Sequence, residues 1–259
     1  MHAGGIHRAA RALILFPLAG VASSVSAQTG GTAPSVETIV ARMTQARFEN
    51  QARLRPYTLT RDYKIFGEEK NAAKSEVTAA VTFLPPRSKQ FVLQQHNGKW
   101  LGITVIRRVM ESEAEIAKDY GTTEIAPQNY DFRLAGEEIH GGRRCYVLEL
   151  LPRRKDKNLL RGNIWIDADT YLPLRSAGQP AKSPSWWLRD VHMTFVYGEV
   201  SGMWLQVASQ VTADVRTLGP HTMVSRDASY KVGDLDARPA VASEVVSGNA
   251  PSNKVPERK

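Results

Sequence analysis

From Pro56 onward the hydrophobic period of this chain is two, and with one interruption it stays two for most of the remaining length. Tyr57, Leu59, Arg61, Tyr63 and Ile65 share one face of an extended run, and Thr58, Thr60, Asp62 and Lys64 share the other. Strict alternation of this kind indicates a strand buried on one side, the usual state of an antiparallel sheet. Val77, Ala79, Val81 and Phe83 repeat the pattern, Pro85-Pro86 closes that strand, and Ser88 to Gln95 forms the next. His96-Asn97-Gly98 reads as a turn. Further strands are expected at about 130–139, 144–151, 159–167, 171–177, 190–197, 203–216 and 221–232. Gly141-Gly142 supplies one tight turn because paired glycines tolerate positive φ. Arg153 to Lys157 is a charged hairpin tip, and Gly198 to Gly202 and Leu218-Gly219-Pro220 are turns as well.

Two stretches keep helical spacing instead. Ile39, Met43 and Ala46 line one face of a helix opened by Pro34-Ser35 and running to about Leu54, with Ser35 as its cap and Glu37 near the positive end of its dipole. Ile103, Ile106, Met110, Ala114 and Ala117 line an amphipathic helix to about Lys118, inserted between strands. The result is about ten strands, two helices and one continuous run of hairpins, an α+β, mainly β chain with no internal domain boundary.

The ends read differently. Arg8 and Arg11 precede an apolar stretch from Ala12 to Ala22, and Val25-Ser26-Ala27 offers small residues before Gln28, so residues 1–27 match a secretory signal peptide. Residues 28–34 read as a linker and 35–235 as one domain. The Pro-, Ser- and Asn-containing stretch 236–259 lacks the means to build a core and reads as a flexible tail. The expected setting is therefore the periplasm, with a soluble chain that is not lipidated, because no cysteine stands near the cut. The single cysteine, Cys145, alternates with apolar neighbours and is most simply a small buried hydrophobe. The formal charge of +8 suits encounters with anionic lipid headgroups and equally suits plain solubility. Nucleic acid is not an expected partner, since the basic residues lack the aromatic interleaving of a single-strand binder.

Enzyme signatures are missing. The chain has no Gly-x-Ser-x-Gly elbow, no His-Glu-x-x-His, no Cys-x-x-Cys and no phosphate loop. His96, His140, His192 and His221 stand alone at turns or strand edges, and the acidic pairs Glu137-Glu138 and Asp167/Asp169 flank turns where Asp has a local backbone role. No catalytic residue, cofactor or metal ligand is expected, and the chain is read as a non-enzyme. What it offers is a long apolar sheet face. Two helices must cover about ten strands, and any part left over forms a concave apolar surface of the kind that takes lipid or small molecules.

Two segments carry a resemblance to a known family. Phe83-Leu84-Pro85-Pro86-Arg87-Ser88-Lys89-Gln90-Phe91 looks like a strand–Pro–strand step, and Trp165-Ile166-Asp167-Ala168-Asp169-Thr170-Tyr171-Leu172-Pro173-Leu174-Arg175 is similar to a hairpin with Asp at its turn and Leu-Pro leading out. With the capped helix and the interposed helix, they resemble the periplasmic lipoprotein-carrier superfamily of LolA-like carriers, LolB and RseB, over about residues 35–232. The resemblance implies an incomplete antiparallel β-barrel with an N-terminal helix and a lid helix over an apolar cavity. It implies a carrier holding a lipid or lipoprotein acyl chain in outer-membrane lipoprotein sorting, with a chaperone-like role and a membrane protein as donor or acceptor. The alternative within the family is a sensing module of the RseB type.

Candidate ligand-binding residues follow from face and phase. Tyr57, Leu59, Tyr63, Val81, Phe83, Phe91, Val191, Phe195 and Leu205 are expected to line the cavity, and Ile103, Ile106 and Met110 to form the lid. Arg61 shares the phase of Tyr57, Leu59 and Tyr63. It corresponds in the resemblance to an inward arginine that holds a lid shut, and it can equally sit at a bend or rim. Buried, it requires a carboxylate or carbonyl partner. Trp186-Trp187 can sit at the mouth, where a half-wet position suits tryptophan, or act as a plain core anchor.

Overall fold

In the computed structural model the described residues are 34–233. The expected signal peptide of residues 1–27, nearly all of the 28–34 linker and the tail of 236–259 lie outside them. Helix α1 (Val36–Ala52) precedes strands β1 (Tyr57–Phe66), β2 (Ser75–Leu84) and β3 (Ser88–Gly98). Helix α2 (Trp100–Lys118) and a short 3-10 turn (Tyr120–Thr122) follow. The chain closes with β4 (Tyr130–His140), β5 (Arg143–Pro152), β6 (Leu160–Asp167), β7 (Pro173–Pro180), β8 (Leu188–Val200), β9 (Met203–Val215) and β10 (Gly219–Val232).

The ten strands form one antiparallel sheet in the order β3-β2-β1-β10-β9-β8-β7-β6-β5-β4. Every neighbour but β1 and β10 is also a neighbour in sequence, as a run of hairpins requires. β3 and β4 are the two ends, and the sheet is not closed between them. The architecture is the expected one, mainly β, an incomplete barrel with two helices.

Among the boundaries that differ from expectation, three have a clear local reason. β7 starts at Pro173 rather than 171, because Tyr171 has φ 57° and belongs to the preceding turn. Buried Asp167 organises that turn by accepting from the Thr170 amide at 2.7 Å and the Thr170 hydroxyl at 2.8 Å. His96, Asn97 and Gly98 are the last paired residues of β3 rather than a turn. The chain reverses at Gly98, whose φ is 99° and whose Cβ, if present, would meet the Lys74 carbonyl oxygen. Helix α2 consequently begins at Trp100, three residues before the apolar spacing becomes regular.

Each helix covers one flank of the inner face. Ile39, Val40 and Met43 of α1 pack on Tyr130, Tyr146, Leu148, Leu150, Ile164 and Ile166 of β4–β6. The Ser35 hydroxyl accepts from the Thr38 amide at the helix start, as expected. Its far end is tied to β9, where Asn50 donates to the Trp204 carbonyl at 2.9 Å and accepts from the Trp204 amide at 2.7 Å. Ile106 and Met110 of α2 pack on Tyr57, Leu59, Tyr63, Ile65, Val77, Val81 and Phe91 of β1–β3. A smaller cluster of Cys145, Val147, Trp165 and Leu174 is separate from both. Cys145 is fully buried and burial pushes its thiol up, which fits the reading of a small inert hydrophobe.

Candidate functional site

The inner face between the two helix-covered flanks belongs to β7–β10. One row of register partners crosses it. Starting from Leu148 on β5, the row runs through Ile164, Ser176, Phe195, Ser209, Ser225 and Tyr63 to Val77 on β2. At the α1 end Leu148 and Ile164 are core, and at the α2 end Tyr63 and Val77 are core. The middle of the row holds Phe195 with a serine on either side. Phe195 and Ser209 are half-buried, as are Val207 and Val211 beside them. The serines are satisfied by each other and by tyrosine. Ser209 and Ser225 hydroxyls are 2.8 Å apart, and Ser176 and Tyr197 hydroxyls 3.3 Å. This strip, the trough, carries Phe195, Val207 and Val211 among three serines and lies between the two helix-covered flanks.

The thirteen residues expected as ligand-binding divide accordingly. Tyr57, Leu59, Tyr63, Val81, Phe91, Ile106 and Met110 are buried together in the α2 cluster, with Phe83, Ile103 and Leu205 packed at its border. Val191 is buried but belongs to neither main cluster, and Phe195 lies on the trough floor. Of the expected lining, Val191, Phe195 and Leu205 lie on β8 and β9, where the uncovered strip is, and the others lie on β1–β3 and α2. Ile103, Ile106 and Met110 already occupy the apolar face of β1–β3 as packed core. Trp186 and Trp187 are not core anchors. They stack at 4.1 Å in the loop joining β7 to β8, and are 67 % and 51 % exposed.

Arg61 points inward and is 3 % exposed. Its guanidinium makes a two-pronged ion pair with Asp227, its register partner on β10, the Nη2–Oδ2 distance being 3.0 Å. It also donates from Nη1 to Glu113 of α2 at 2.8 Å. Glu113 accepts a second bond from Lys89 of β3 at 3.1 Å, and the Tyr230 hydroxyl donates to Asp227 at 2.6 Å. Two cations and two carboxylates balance, the condition under which buried charge is tolerable. Arg61 therefore has the carboxylate partner that burial requires, and it stands beside the register slip between Leu59 and Arg61.

The electrostatics follow from the enclosure. Burial opposes the Arg61 charge, but Glu113 and Asp227 outweigh it and raise its pKa further. Burial alone would push Glu113 up; Lys89 and Arg61 more than offset it and hold the carboxyl below its usual value. Burial lowers Lys89, only partly countered by Glu113. Burial also raises Tyr57 to about 12 and lifts Tyr63 and Tyr230 well above the usual range. The Tyr63 hydroxyl is enclosed with no hydrogen-bond partner among the described residues.

Sequence reasoning identified Arg61 and missed Glu113, Lys89 and Asp227. Glu113 carried a readable signal, since it falls seven residues after Ile106 on the buried side of α2. The site thus consists of an uncovered strip and, beside it, a helix fastened to the sheet by a charged cluster as well as by apolar packing. Among the described residues no group of three His, Cys, Asp or Glu side chains is placed to hold a metal, and no helix is long and apolar enough to cross a membrane.

A family model described as "-like: Uncharacterized protein" matches residues 106–233. No curated protein matches the chain. Among solved structures the chain is similar to a LolA superfamily protein from Nitrosomonas europaea, with 12% identity over 78% of this chain and 96% of that one and a TM-score of 0.44. It is also similar to a putative outer membrane lipoprotein-sorting protein domain from Vibrio parahaemolyticus, with 14% identity, 76% and 93% coverage and a TM-score of 0.43. The MucA/MucB complex from Pseudomonas aeruginosa matches with 14% identity, 76% and 99% coverage and a TM-score of 0.24.

Proposed function

We propose that this chain is a periplasmic carrier that holds the acyl chain of a lipid or lipoprotein in the trough of β7–β10, with α2 as the lid. The observation that carries the reading is the half-buried strip around Phe195, bordered by a helix that a polar cluster fastens to the sheet. Apolar packing holds α2 against β1–β3. A charged cluster adds a fastening that water, a competing charge or a shift in pH can replace.

Capture in this scheme is transfer of methylenes out of water. Each is worth about 0.8 kcal/mol, so a long acyl chain gains on the order of 10 kcal/mol gross. Ordering and association remove several of those, which leaves a grip that is firm and reversible. Release follows when α2 swings and the strip rehydrates. No catalytic group, cofactor or metal enters the scheme, and residues 1–27 would deliver the chain to the compartment where such cargo travels.

Native mass spectrometry of the gently purified chain tests the reading. Mass additions matching lipid or acylated peptide, lost in Phe195→Asp while the circular dichroism spectrum is kept, support a carrier. A chain that stays empty in the presence of lipid, yet captures a membrane protein, replaces the carrier with the sensing module. An unchanged lipid load in Phe195→Asp ends the assignment of the trough.

A further inference from the structure

One end of the sheet differs in character from the other. Antiparallel pairing gathers the β1–β2 turn, the end of β3 with the start of α2, the β5–β6 loop, the β7–β8 loop and the β9–β10 turn along one rim. The exposed tryptophans are on it. Trp100 is 74 % exposed at the start of α2, with Leu101 exposed beside it and Val105 one turn on. Trp186, Trp187 and Leu218 project from the β7–β8 loop and the β9–β10 turn. The opposite rim exposes Leu84 and Ile139 and no tryptophan.

These side chains are held, not loose. The Lys99 amide donates to the Lys74 carbonyl at 3.1 Å, which fixes the start of α2 against the β1–β2 turn. The Arg216 amide donates to the Trp187 carbonyl at 2.9 Å, and the Arg216 guanidinium lies 5.9 Å from the Trp186 ring centroid. The two tryptophan sites are five strand steps apart, about 20 Å along a curved sheet.

Unpaired charge on the same rim is mainly positive. Lys70, Lys74, Lys99, Lys155, Lys157 and Lys182 are all exposed and make no ion pair among the described residues. Among the acidic neighbours, Asp156 and Asp214 are each engaged by an arginine, and the lysines outnumber the exposed acids without an ion pair, Glu68, Glu69 and Asp190.

We infer that this rim is a docking surface for an anionic phospholipid bilayer, with Trp100 and Trp186-Trp187 seated at headgroup level and the lysines facing the lipid charge. Tryptophan prefers that interface because its body is apolar and its N–H needs a wet partner. Lysine near an anionic leaflet gains attraction without needing a fixed geometry. A protein partner would be expected to find a contiguous packed pocket around its anchors. Here the anchors stand about 20 Å apart at separate loops, an arrangement that a fluid plane accepts. The inference goes beyond the carrier reading and holds without it, since no rim residue lies on the trough floor.

The test is co-sedimentation of the full chain with vesicles of equal parts phosphatidylglycerol and phosphatidylcholine, against vesicles of phosphatidylcholine alone. Binding is expected to the anionic vesicles only, weakened by salt and accompanied by a blue shift of tryptophan emission. Combined Trp100→Ala, Trp186→Ala and Trp187→Ala, and separately Lys70→Glu, Lys99→Glu and Lys182→Glu, should each lower the partition by about tenfold or more. All six positions are exposed, and circular dichroism and thermal unfolding confirm that the variants fold. Ile139→Ser on the opposite rim should change nothing. Phe195→Asp separates the two proposals: lipid retention goes and vesicle binding stays. Binding that ignores lipid charge, that survives both sets of substitutions, or that fails where a membrane protein is captured instead overturns the inference.

Discussion

Arg61 and Asp227 stand opposite each other on β1 and β10, 166 positions apart in the chain, and form a two-pronged ion pair in which neither side chain is more than 3 % exposed. The pair lies beneath α2, whose Glu113 takes the remaining face of the guanidinium.

Asp227→Ala leaves the buried Arg61 with only Glu113, which it shares with Lys89, and should cost about 3–5 kcal/mol. Replacing both, as Arg61→Met with Asp227→Leu, should recover much of that loss, because Lys89 and Glu113 remain as a balanced pair. Urea unfolding of the two variants checks the contrast; equal losses would show that the pair is not the unit.

Glu113→Gln should loosen α2 while leaving the α1 flank intact. Hydrogen exchange should quicken at α2 amides and stay unchanged in β5 and β6. The pH response has a definite sign. The folded Glu113 carboxyl is held below its usual value, so its contribution is fully present above the ordinary carboxylate range. It is lost as pH falls through the lowered value. Acidification should therefore speed α2 exchange in the parent and have little effect on it in Glu113→Gln.

Ile106 and Phe195 should respond oppositely. Ile106 is fully buried on the sheet-facing side of α2, and Ile106→Ala should lower stability by about 2–5 kcal/mol. Phe195→Asp replaces a half-buried ring that is already in partial contact with water. It should lower stability by less and abolish lipid retention, read by urea unfolding and native mass spectrometry on the same samples.

Asp167 organises the β6–β7 turn, accepting from Asp169 and Thr170 and pairing with Arg143 at 2.8 Å. Asp167→Ala should cost on the order of 3 kcal/mol, with α2 exchange unaffected. Loss of α2 protection in that variant would mean that the two flanks unfold as one.

The strands were readable because each carries its own alternation, and nine of the strand pairs' partners are fixed by hairpins or by the one closure of β1 on β10. The charged cluster was less readable. Arg61 announced itself by sharing the phase of Tyr57 and Tyr63. Asp227 did not, because the β1–β10 register slips between Leu59 and Arg61. A period of two counted back from Val232 and Tyr230 therefore lands on Ala228 and puts Asp227 on the wrong face. Lys89 falls in the strand expected from Ser88 to Gln95, with no local signal pairing it to Glu113. The trough was only partly readable, for a different reason. Binary pattern marks a face as apolar without saying which stretch of it a helix occupies, and Ser176, Ser209 and Ser225 interrupt the apolar rhythm where the uncovered strip lies.

Those three serines have a mechanical consequence. Each flank of the sheet is fastened to its own helix and moves with it, whereas the midline carries small side chains with little to interlock. Changing the curvature there disturbs few packed atoms. In the proposed carrier, flexing along this midline would let the strip widen for its cargo while both cores stay as they are.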